Sequence, residues 1–278
     1  MPRSQVVRML DEDPHLHISY SQIFTYLACS LKYRFQYVEN RPPERAGSTL
    51  FMGSGIHSAL ERLYRTMKDK GTLEPLPVLL ELYEDCVSLE IDHAGVPVIY
   101  KREAPDRQSV IDLGKAMLTA FHESLDLTGY RIVDVEAPLA ATLFTEEGEA
   151  TEYKLIGIID LMLMDDAGEI VVVDNKTAAK AKSQSAVDDD LQFSAYAYLA
   201  AANKLTFPTA PIKCRMDTLL KTKAPKLVQY QTIRTAEDRK RFAKITNAIL
   251  NGIENRVFVP NRSWLCADCQ YAGACRNW

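Results

Sequence analysis

The 278-residue sequence predicts an α/β protein in which helices flank a central β-sheet, with a helical region near the N-terminus and a cysteine-rich, metal-binding loop at the C-terminal end. The first observation is a pair of β-branched apolar runs on either side of a turn, within residues 153–177. The second is that segments before and after this pair either alternate in strand fashion or repeat apolar residues at helical spacing. The third is a group of three cysteines near the C-terminal end, among residues 266–275.

The two apolar runs predict a β-hairpin that is buried on at least one face, with its turn at residues 165–168. Asp160 interrupts the first run, and Asp174 and Lys176 end the second. A buried charge is costly unless it is paired or holds a metal, so these residues indicate a site. Because side chains alternate along a strand, Asp174 and Lys176 point to one face of the sheet and Asn175 points to the other.

The segments before the hairpin are mostly helical. Residues 1–18 are predicted to form a polar N-terminal arm. Ser19 is a plausible helix cap for an apolar stripe that runs to Val38, as one helix or two short ones, and the prolines at 42 and 43 end this segment.

A second helical stripe covers residues 56–67. Gly53 and Gly55 are expected to open this helix, and a close packing contact is favoured over a phosphate loop because no Gly-Lys-Ser/Thr follows them. His57 lies beside the stripe, where a histidine is usually structural and a ligand role is the alternative. Residues 73–130 repeat apolar positions at helical spacing and are expected to pack over one side of the sheet.

Further strands and helices complete the predicted sheet. Residues 131–145 alternate in strand fashion and include Glu136, which is weakly informative by itself. Two helices and two more strands follow the hairpin. The helices are predicted at residues 191–202 and 236–256, and the strands at residues 211–220 and 227–233. Gln192 and Tyr196 lie one turn apart on the first helix, a pair that packing explains more often than function does. Five basic residues between 213 and 226 are usually only solvated, but they could contact phosphates.

Composition limits the class of protein. The apolar content is 47%, which is enough to bury a large core, and the formal net charge is −4. This charge argues against indiscriminate nucleic-acid binding, although it leaves room for a local basic patch. Neither a run of roughly 18 apolar residues nor a signal-peptide pattern is present in the sequence, so we expect a soluble, cytoplasmic protein without membrane contact.

The cysteine pattern favours metal binding. Six cysteines at irregular spacing favour metal ligands or buried thiols over a disulfide framework. Cys266, Cys269 and Cys275 have the spacing C-x2-C-x5-C, and a tight loop can bring three such thiolates onto one centre. A tetrahedral metal or a cubane cluster needs a fourth ligand. We favour Cys29 because it lies in a polar helical segment, whereas Cys86 and Cys214 stand in apolar patterns that indicate burial.

The polar residues of the hairpin suit hydrolytic chemistry. Asp160 and Asp174 are hard oxygen ligands for Mg²⁺ or Mn²⁺, and the carbonyl of Asn175 can add another oxygen. His57 could bind the same ion from its helix. Lys176 could hold or deprotonate a water whose pKa the metal lowers, while one or two ions would stabilise the charge that builds on a phosphate.

The order of these motifs resembles a known family. Gly157-x-x-Asp160, a turn and then Asp174-Asn175-Lys176 resemble the core of the PD-(D/E)XK nucleases. His57 before this core and Gln-x-x-x-Tyr at 192–196 after it are similar to the RecB-like branch. The segment 19–38 and the cysteine tail extend the likeness to members that carry a [4Fe-4S] cluster, such as the AddB nuclease domain and the CRISPR-associated adaptation nucleases. Asp174 stands where many relatives have Glu, and Ser30 follows Cys29 where relatives often have proline.

The resemblance implies a fold, an activity and roles for the residues. The fold would be a restriction-endonuclease-like mixed sheet in a single domain at residues 19–278, with a helical insertion at about 73–130. The activity would be that of a metal-dependent deoxyribonuclease, an exonuclease acting on single-stranded DNA or DNA ends. The implied metal ligands are His57, Asp160, Asp174 and Asn175, with Glu136 as the acid that often precedes the core. Lys176 would activate water, Gln192 and Tyr196 would lie on the substrate side, and Cys29, Cys266, Cys269 and Cys275 would bind the cluster.

Two alternatives stay open at this point. The chain could be a nuclease subunit or DNA-binding component of a recombination, repair or CRISPR adaptation complex, with an activity that depends on protein partners. Zinc could occupy the cysteine site instead of an iron-sulfur cluster.

Overall fold

The computed structural model of the chain describes residues 16–278, and its strands and helices are interspersed along the sequence. The strands are β1 (His17–Ser19), β2 (Ala46–Gly47), β3 (Val98–Ile99), β4 (Tyr130–Phe144), β5 (Ala150–Asp165), β6 (Ile170–Ala178), β7 (Ile212–Leu220) and β8 (Leu227–Arg234). The α-helices are α1 (Tyr20–Ala28), α2 (Ser30–Tyr33), α3 (Ser48–Lys70), α4 (Leu76–Asp92), α5 (Arg107–Ser124), α6 (Gln184–Asp188), α7 (Leu191–Ala202), α8 (Ala236–Glu254) and α9 (Ala272–Arg276).

A mixed sheet forms the centre of the fold. Its strands follow the order β1-β5-β6-β7-β8, and β4 pairs with the other edge of β5. The pairs β4·β5, β5·β6 and β7·β8 are antiparallel, whereas β1·β5 and β6·β7 are parallel. The central mixed sheet flanked by helices is therefore confirmed, including the hairpin of β5 and β6. β2 and β3 form a separate short parallel pair.

Helices cover the sheet on both faces. The helices α3, α4 and α5 share one apolar core with the inner residues of β4, β5 and β6. The second core joins α7 and α8 to β5, β6 and β7, together with Ile23 from α1. The helical segment between residues 73 and 130 thus packs on one side of the sheet, as its pattern predicts. No helix within the described residues is both long and apolar enough to cross a membrane.

A capping residue begins α1, and a break at Cys29 separates it from α2. Ser19 caps α1, since its side chain accepts from the backbone of Gln22 and the side chain of Gln22 accepts from the backbone of Ser19. Cys29 has extended backbone angles and separates α1 from α2, so the two-helix alternative is the correct one. A π-helical turn, Arg34–Val38, follows α2. The strand β1 falls at the end of the segment expected to be an arm, and residues 1–15 of that segment lie outside the described residues.

The helix that carries His57 begins earlier than its pattern suggests. Gly53 and Gly55 were expected to open it, but α3 begins at Ser48 and both glycines lie inside it. The close packing contact is present: a Cβ on Gly55 would lie 2.8 Å from a methyl carbon of Val87 on α4. Gly55 therefore sets how closely α3 approaches α4.

Candidate active site

Strand β5 changes partners at the position of the candidate site. Its pairing with β6 covers Leu161 to Met164, and its pairing with β1 covers Lys154 to Ile156. The strands consequently diverge next to Asp160, which directly precedes Leu161, the residue at the end of the β5·β6 ladder. Asp160 accepts a hydrogen bond from the backbone N–H of Asn175, with 2.7 Å between N and Oδ2. The sheet thus opens into a fork whose edges carry acidic side chains.

Asp174 lies inside this fork and is only 1% exposed. Its Oδ1 accepts from Lys176 Nζ and from Gln192 Nε2, each at 2.9 Å. Its Oδ2 is buried, and no described residue donates a hydrogen bond to it. Burial raises the pKa of the Asp174 carboxyl to about 7; the Lys176 charge opposes this rise, and the Asp160 charge adds to it.

Lys176 is held as a cation beside the two acids. Burial alone would lower its pKa, but the negative charges of Asp174 and Asp160 raise the pKa of Lys176 above its ordinary value. As predicted from strand alternation, Lys176 and Asp174 share one face of β6. An acid and a cation therefore meet at the fork, with the lysine side chain partly open to solvent.

Helix α7 brings its polar pair to the same place. Asp190 caps this helix by accepting from the backbone N–H of Gln192. Gln192 Nε2 donates to Asp174 and also to the hydroxyl oxygen of Tyr196, at 2.7 Å. Burial, reinforced by the charge of Asp174, raises the pKa of Tyr196 well above its ordinary value, so the hydroxyl stays protonated. Gln192 therefore links α7 to β6.

Asp160 also belongs to a group of three candidate metal ligands. His57, Glu136 and Asp160 each offer one atom, and these atoms lie within 4.8 Å of one another. His57 Nδ1 is 3.7 Å from Asp160 Oδ2. Glu136 stands opposite Asp160 in the β4·β5 register, between the pairs Val135↔Leu161 and Ala137↔Ile159. These residues provide a mixed nitrogen and oxygen set of the kind that holds a divalent cation.

The sequence by itself gives little indication that Glu136 belongs to this group. Its φ angle is +49°, in the left-handed region that a non-glycine residue in a strand seldom adopts. Such strain is concentrated at functional sites, where surrounding structure holds it in place. The sequence signal was an acid just before Ala137-Pro138, and it could not show that β4 places this acid across from Asp160.

Asn175 faces two environments. Its side chain is buried on the opposite face of the sheet, where Oδ1 accepts from the Tyr64 hydroxyl at 3.3 Å. Its backbone N–H points into the fork toward Asp160. Because the N–H and C=O groups of one strand residue point to the same edge, its backbone carbonyl faces the fork as well. The oxygen that Asn175 can offer a metal is therefore the backbone carbonyl.

Four cysteines line a cavity of about 620 Å³, away from the fork. Cys29, at the break between α1 and α2, lines it together with the tail residues Cys266, Cys269 and Cys275. Burial, with the nearby thiols of Cys29, Cys269 and Cys266, raises the pKa of Cys275. Four thiols from the two ends of the described chain are thus brought around one space. Cys214 is instead buried in β7, and Cys86 lies between α3 and α4 beside Ser58.

The tail that carries these cysteines is anchored to the N-terminal helices. Phe35 and Tyr271 pack with ring centroids 6.0 Å apart. The carboxylate of Glu44 accepts from the backbone N–H groups of Gly273 and Ala274, at 2.8 and 2.7 Å. Leu31 N donates to Val259 O at 3.1 Å. The cysteine cavity is therefore closed by contacts that do not depend on a metal.

A solved structure shares the fold of this chain at low sequence identity. The crystal structure of a "putative exonuclease" from Eubacterium rectale matches with a TM-score of 0.59 and 12% identity, over 100% of this chain and 93% of that chain. The crystal structure of SSO0001 covers 89% of this chain and 94% of its own, with 14% identity and a TM-score of 0.38, which is too low to carry an argument. Among curated proteins, none matches this chain in sequence.

The family assignment comes from the sequence as a whole. The family model described as the PD-(D/E)XK nuclease superfamily matches residues 17–276, nearly the full chain. Nucleases of this superfamily use divalent metals, and the buried Oδ2 of Asp174 and the convergent group of His57, Glu136 and Asp160 are suited to such an ion. The chain belongs to the PD-(D/E)XK nuclease superfamily.

Proposed function

We propose that the protein is a metal-dependent deoxyribonuclease, an exonuclease that hydrolyses phosphodiester bonds in single-stranded DNA or at DNA ends. The single observation that carries this proposal is the fork between β5 and β6, where Asp160, Asp174 and Lys176 meet. The exonuclease mode follows the "putative exonuclease" of Eubacterium rectale, which shares this fold.

The fork supplies the groups that this reaction needs. Asp160, Asp174, His57 and the carbonyl of Asn175 would hold Mg²⁺ or Mn²⁺, and Glu136 would complete the set. When bound, the ion would stabilise charge on the phosphate and lower the pKa of a water. Lys176 orients the attacking water, since its ammonium donates hydrogen bonds and is held in place by Asp174. Gln192 holds Asp174 through its side-chain amide, which also donates to the Tyr196 hydroxyl, and this pair would lie on the substrate side.

We propose a [4Fe-4S] cluster for the cysteine cavity, bound by Cys29, Cys266, Cys269 and Cys275. Thiolates are the ligands of such clusters, and the cavity volume of about 620 Å³ is ample for a multi-atom group. Its role would be structural, because it joins α1 and α2 to the tail. Iron and sulfide analysis with a visible spectrum checks this point: a colourless protein with zinc would overturn the cluster and favour the zinc alternative.

Cleavage of end-labelled DNA tests the main proposal. The purified chain is incubated with single-stranded and double-stranded substrates in Mg²⁺, in Mn²⁺ and in EDTA, next to the variant Asp174→Ala. We expect products only from the parent with metal, in a ladder that reports the cleavage mode. If the parent gave no product under any of these conditions, the alternative would be favoured, in which the chain is a subunit of a recombination, repair or CRISPR adaptation complex and requires a protein partner.

A further inference from the structure

Helix α1 has an exposed apolar face next to the active site. None of its nine residues, Tyr20–Ala28, is charged. A surface helix ordinarily turns charged or polar side chains to solvent, yet Phe24 is 52% exposed and Leu27 is 50% exposed. Tyr20, Phe24 and Leu27 recur at one-turn spacing, and we call these three residues the α1 face. The rings of Tyr20 and Phe24 lie with centroids 6.2 Å apart.

One end of the α1 face reaches the active site. Tyr20 packs against the core cluster that includes Phe193 and Tyr196 of α7. Burial, followed by the negative charges of Asp190, which caps α7, and of Asp174, raises the pKa of the Tyr20 hydroxyl. Lys182 Nζ contacts Asp190 Oδ2 at 2.7 Å, so a cation stands at the same position. The first aromatic ring of the α1 face is therefore close to the catalytic fork.

The middle residue of the α1 face, Phe24, lies at the rim of the cysteine cavity. Among the described residues that line this cavity, three are cationic, Lys32, Arg262 and Arg276, and one is acidic, Asp268. Asp268 is in ion contact with Lys101. The charge balance beside Phe24 is thus positive, which favours a polyanion over a basic or neutral partner.

We infer that the α1 face is a base-stacking site for single-stranded DNA, which leads an unpaired strand toward the catalytic fork. Exposed aromatic rings bind unpaired bases by stacking, and neighbouring cations contact the backbone phosphates. Bases in a duplex stack on one another, so the α1 face discriminates in favour of single strands. The inference rests on the proposed nuclease function and names the form of its substrate.

Binding measurements on Phe24 variants test the inference. A fluorescent oligothymidylate, the same strand with abasic positions and a duplex are titrated in EDTA, so that cleavage does not interfere. The variants are Phe24→Ala, Phe24→Leu and Phe24→Trp. Phe207→Ala is the matched control, because Phe207 is 81% exposed and lies beyond the C-terminal end of α7, far from Gln192. Melting curves confirm that each variant is folded.

We expect Phe24→Ala to weaken binding of the single strand about 5- to 100-fold, the range reported for loss of one base-aromatic stack. Phe24→Leu is expected to weaken it as well, because leucine has no π face, and Phe24→Trp to retain it. Phe207→Ala should bind like the parent. Duplex binding and binding of the abasic strand should change little in Phe24→Ala.

Three results would overturn the inference: parental affinity of Phe24→Ala for the single strand, equal losses for single strand and duplex, or full retention of affinity by Phe24→Leu. A change of melting temperature or oligomeric state in Phe24→Ala with unchanged DNA affinity would also overturn it, because the α1 face would then pack against protein. Failure of the proposed function is a separate result, since the parent would then not cleave DNA in the presence of metal, whereas these affinities are measured without metal.

Discussion

At the scale of single residues, Asp174 shows how burial and function are joined. One of its carboxylate oxygens receives hydrogen bonds from Lys176 and Gln192, and the other is buried without a donor among the described residues. A buried carboxylate oxygen in this state costs stability, because its lost hydration is not replaced. A bound cation would replace the lost hydration. The free energy that this burial costs the metal-free protein would therefore be recovered when the cation binds.

The variant Asp174→Asn separates these two effects. This variant keeps the side-chain shape and removes the charge. We expect the cleavage rate to fall by about a thousandfold, because the transition state would lose several kcal/mol of the stabilisation that the metal supplies. The melting temperature of the metal-free protein should stay the same or rise, since a buried charge next to Asp160 is removed. Initial cleavage rates and thermal unfolding measure the two. Asp166→Asn, in the exposed hairpin turn, serves as the control, and a large drop in melting temperature for Asp174→Asn would contradict the argument.

Glu136 gives a second residue-scale prediction. Because its carboxylate lies within 4.8 Å of ligand atoms of His57 and Asp160, Glu136→Gln should raise the Mg²⁺ concentration for half-maximal cleavage about tenfold or more. The maximal rate at saturating metal should fall less. A metal titration of activity measures this shift, with Glu152→Gln on an exposed part of β5 as control. An unchanged metal requirement would remove Glu136 from the ligand set.

Residue by residue, the sequence predicted what depends on local periodicity. It placed Asp174 and Lys176 on one face and Asn175 on the other, because alternation along a strand is a property of the chain itself. Local patterns did not show that Glu136 lies opposite Asp160, because this position depends on the register between β4 and β5 and on a left-handed backbone angle. Those are tertiary facts that local patterns do not contain.

At the scale of elements, the contact between α3 and α4 depends on a glycine. A Cβ on Gly55 would lie 2.8 Å from Val87 and 2.9 Å from Tyr83, whereas a Cβ on Gly53 would meet no atom within 4 Å. Gly55→Ala should therefore destabilise the protein by about 1–3 kcal/mol through overpacking. Gly53→Ala should stabilise it by about 0.5–1 kcal/mol, because alanine is the better helix residue. Urea unfolding compares them, and equal midpoints for the two variants would refute this account of the contact.

Short and parallel elements explain what the sequence did not predict at this scale. β1 has three residues and β2 has two, too few for alternation to be visible, and their partners are remote in sequence.

The basic run between 213 and 226 is less available to phosphates than its composition suggested. Lys213 pairs with Asp165 and Glu169, and Arg215 is buried against Asp217. Burial and ion pairing within the strands decide how available these basic side chains are, and the composition of the segment does not show either.

At the scale of the whole molecule, the cysteine cavity connects the start of the described chain to its end. Cys29 comes from the α1–α2 break, and the other three thiols come from the tail that Glu44 and Phe35 anchor. A group bound by all four thiolates would close a loop of almost the entire described chain. Such a closure stabilises the folded state mainly by restricting the unfolded chain, and its effect grows slowly with loop length.

This closure predicts different behaviour for two cysteine variants. Cys269→Ala should lose the bound metal and lower the free energy of unfolding by about 2–5 kcal/mol, the range typical for loss of a structural cross-link. Cys86→Ala removes a thiol outside the cavity, so metal content and stability should stay close to those of the parent. Metal analysis and urea unfolding of the purified proteins measure both quantities. If Cys269→Ala kept the metal and the unfolding midpoint of the parent, the tail would be held by its protein contacts alone, through Glu44 and Tyr271, and the cavity would have no stabilising ligand.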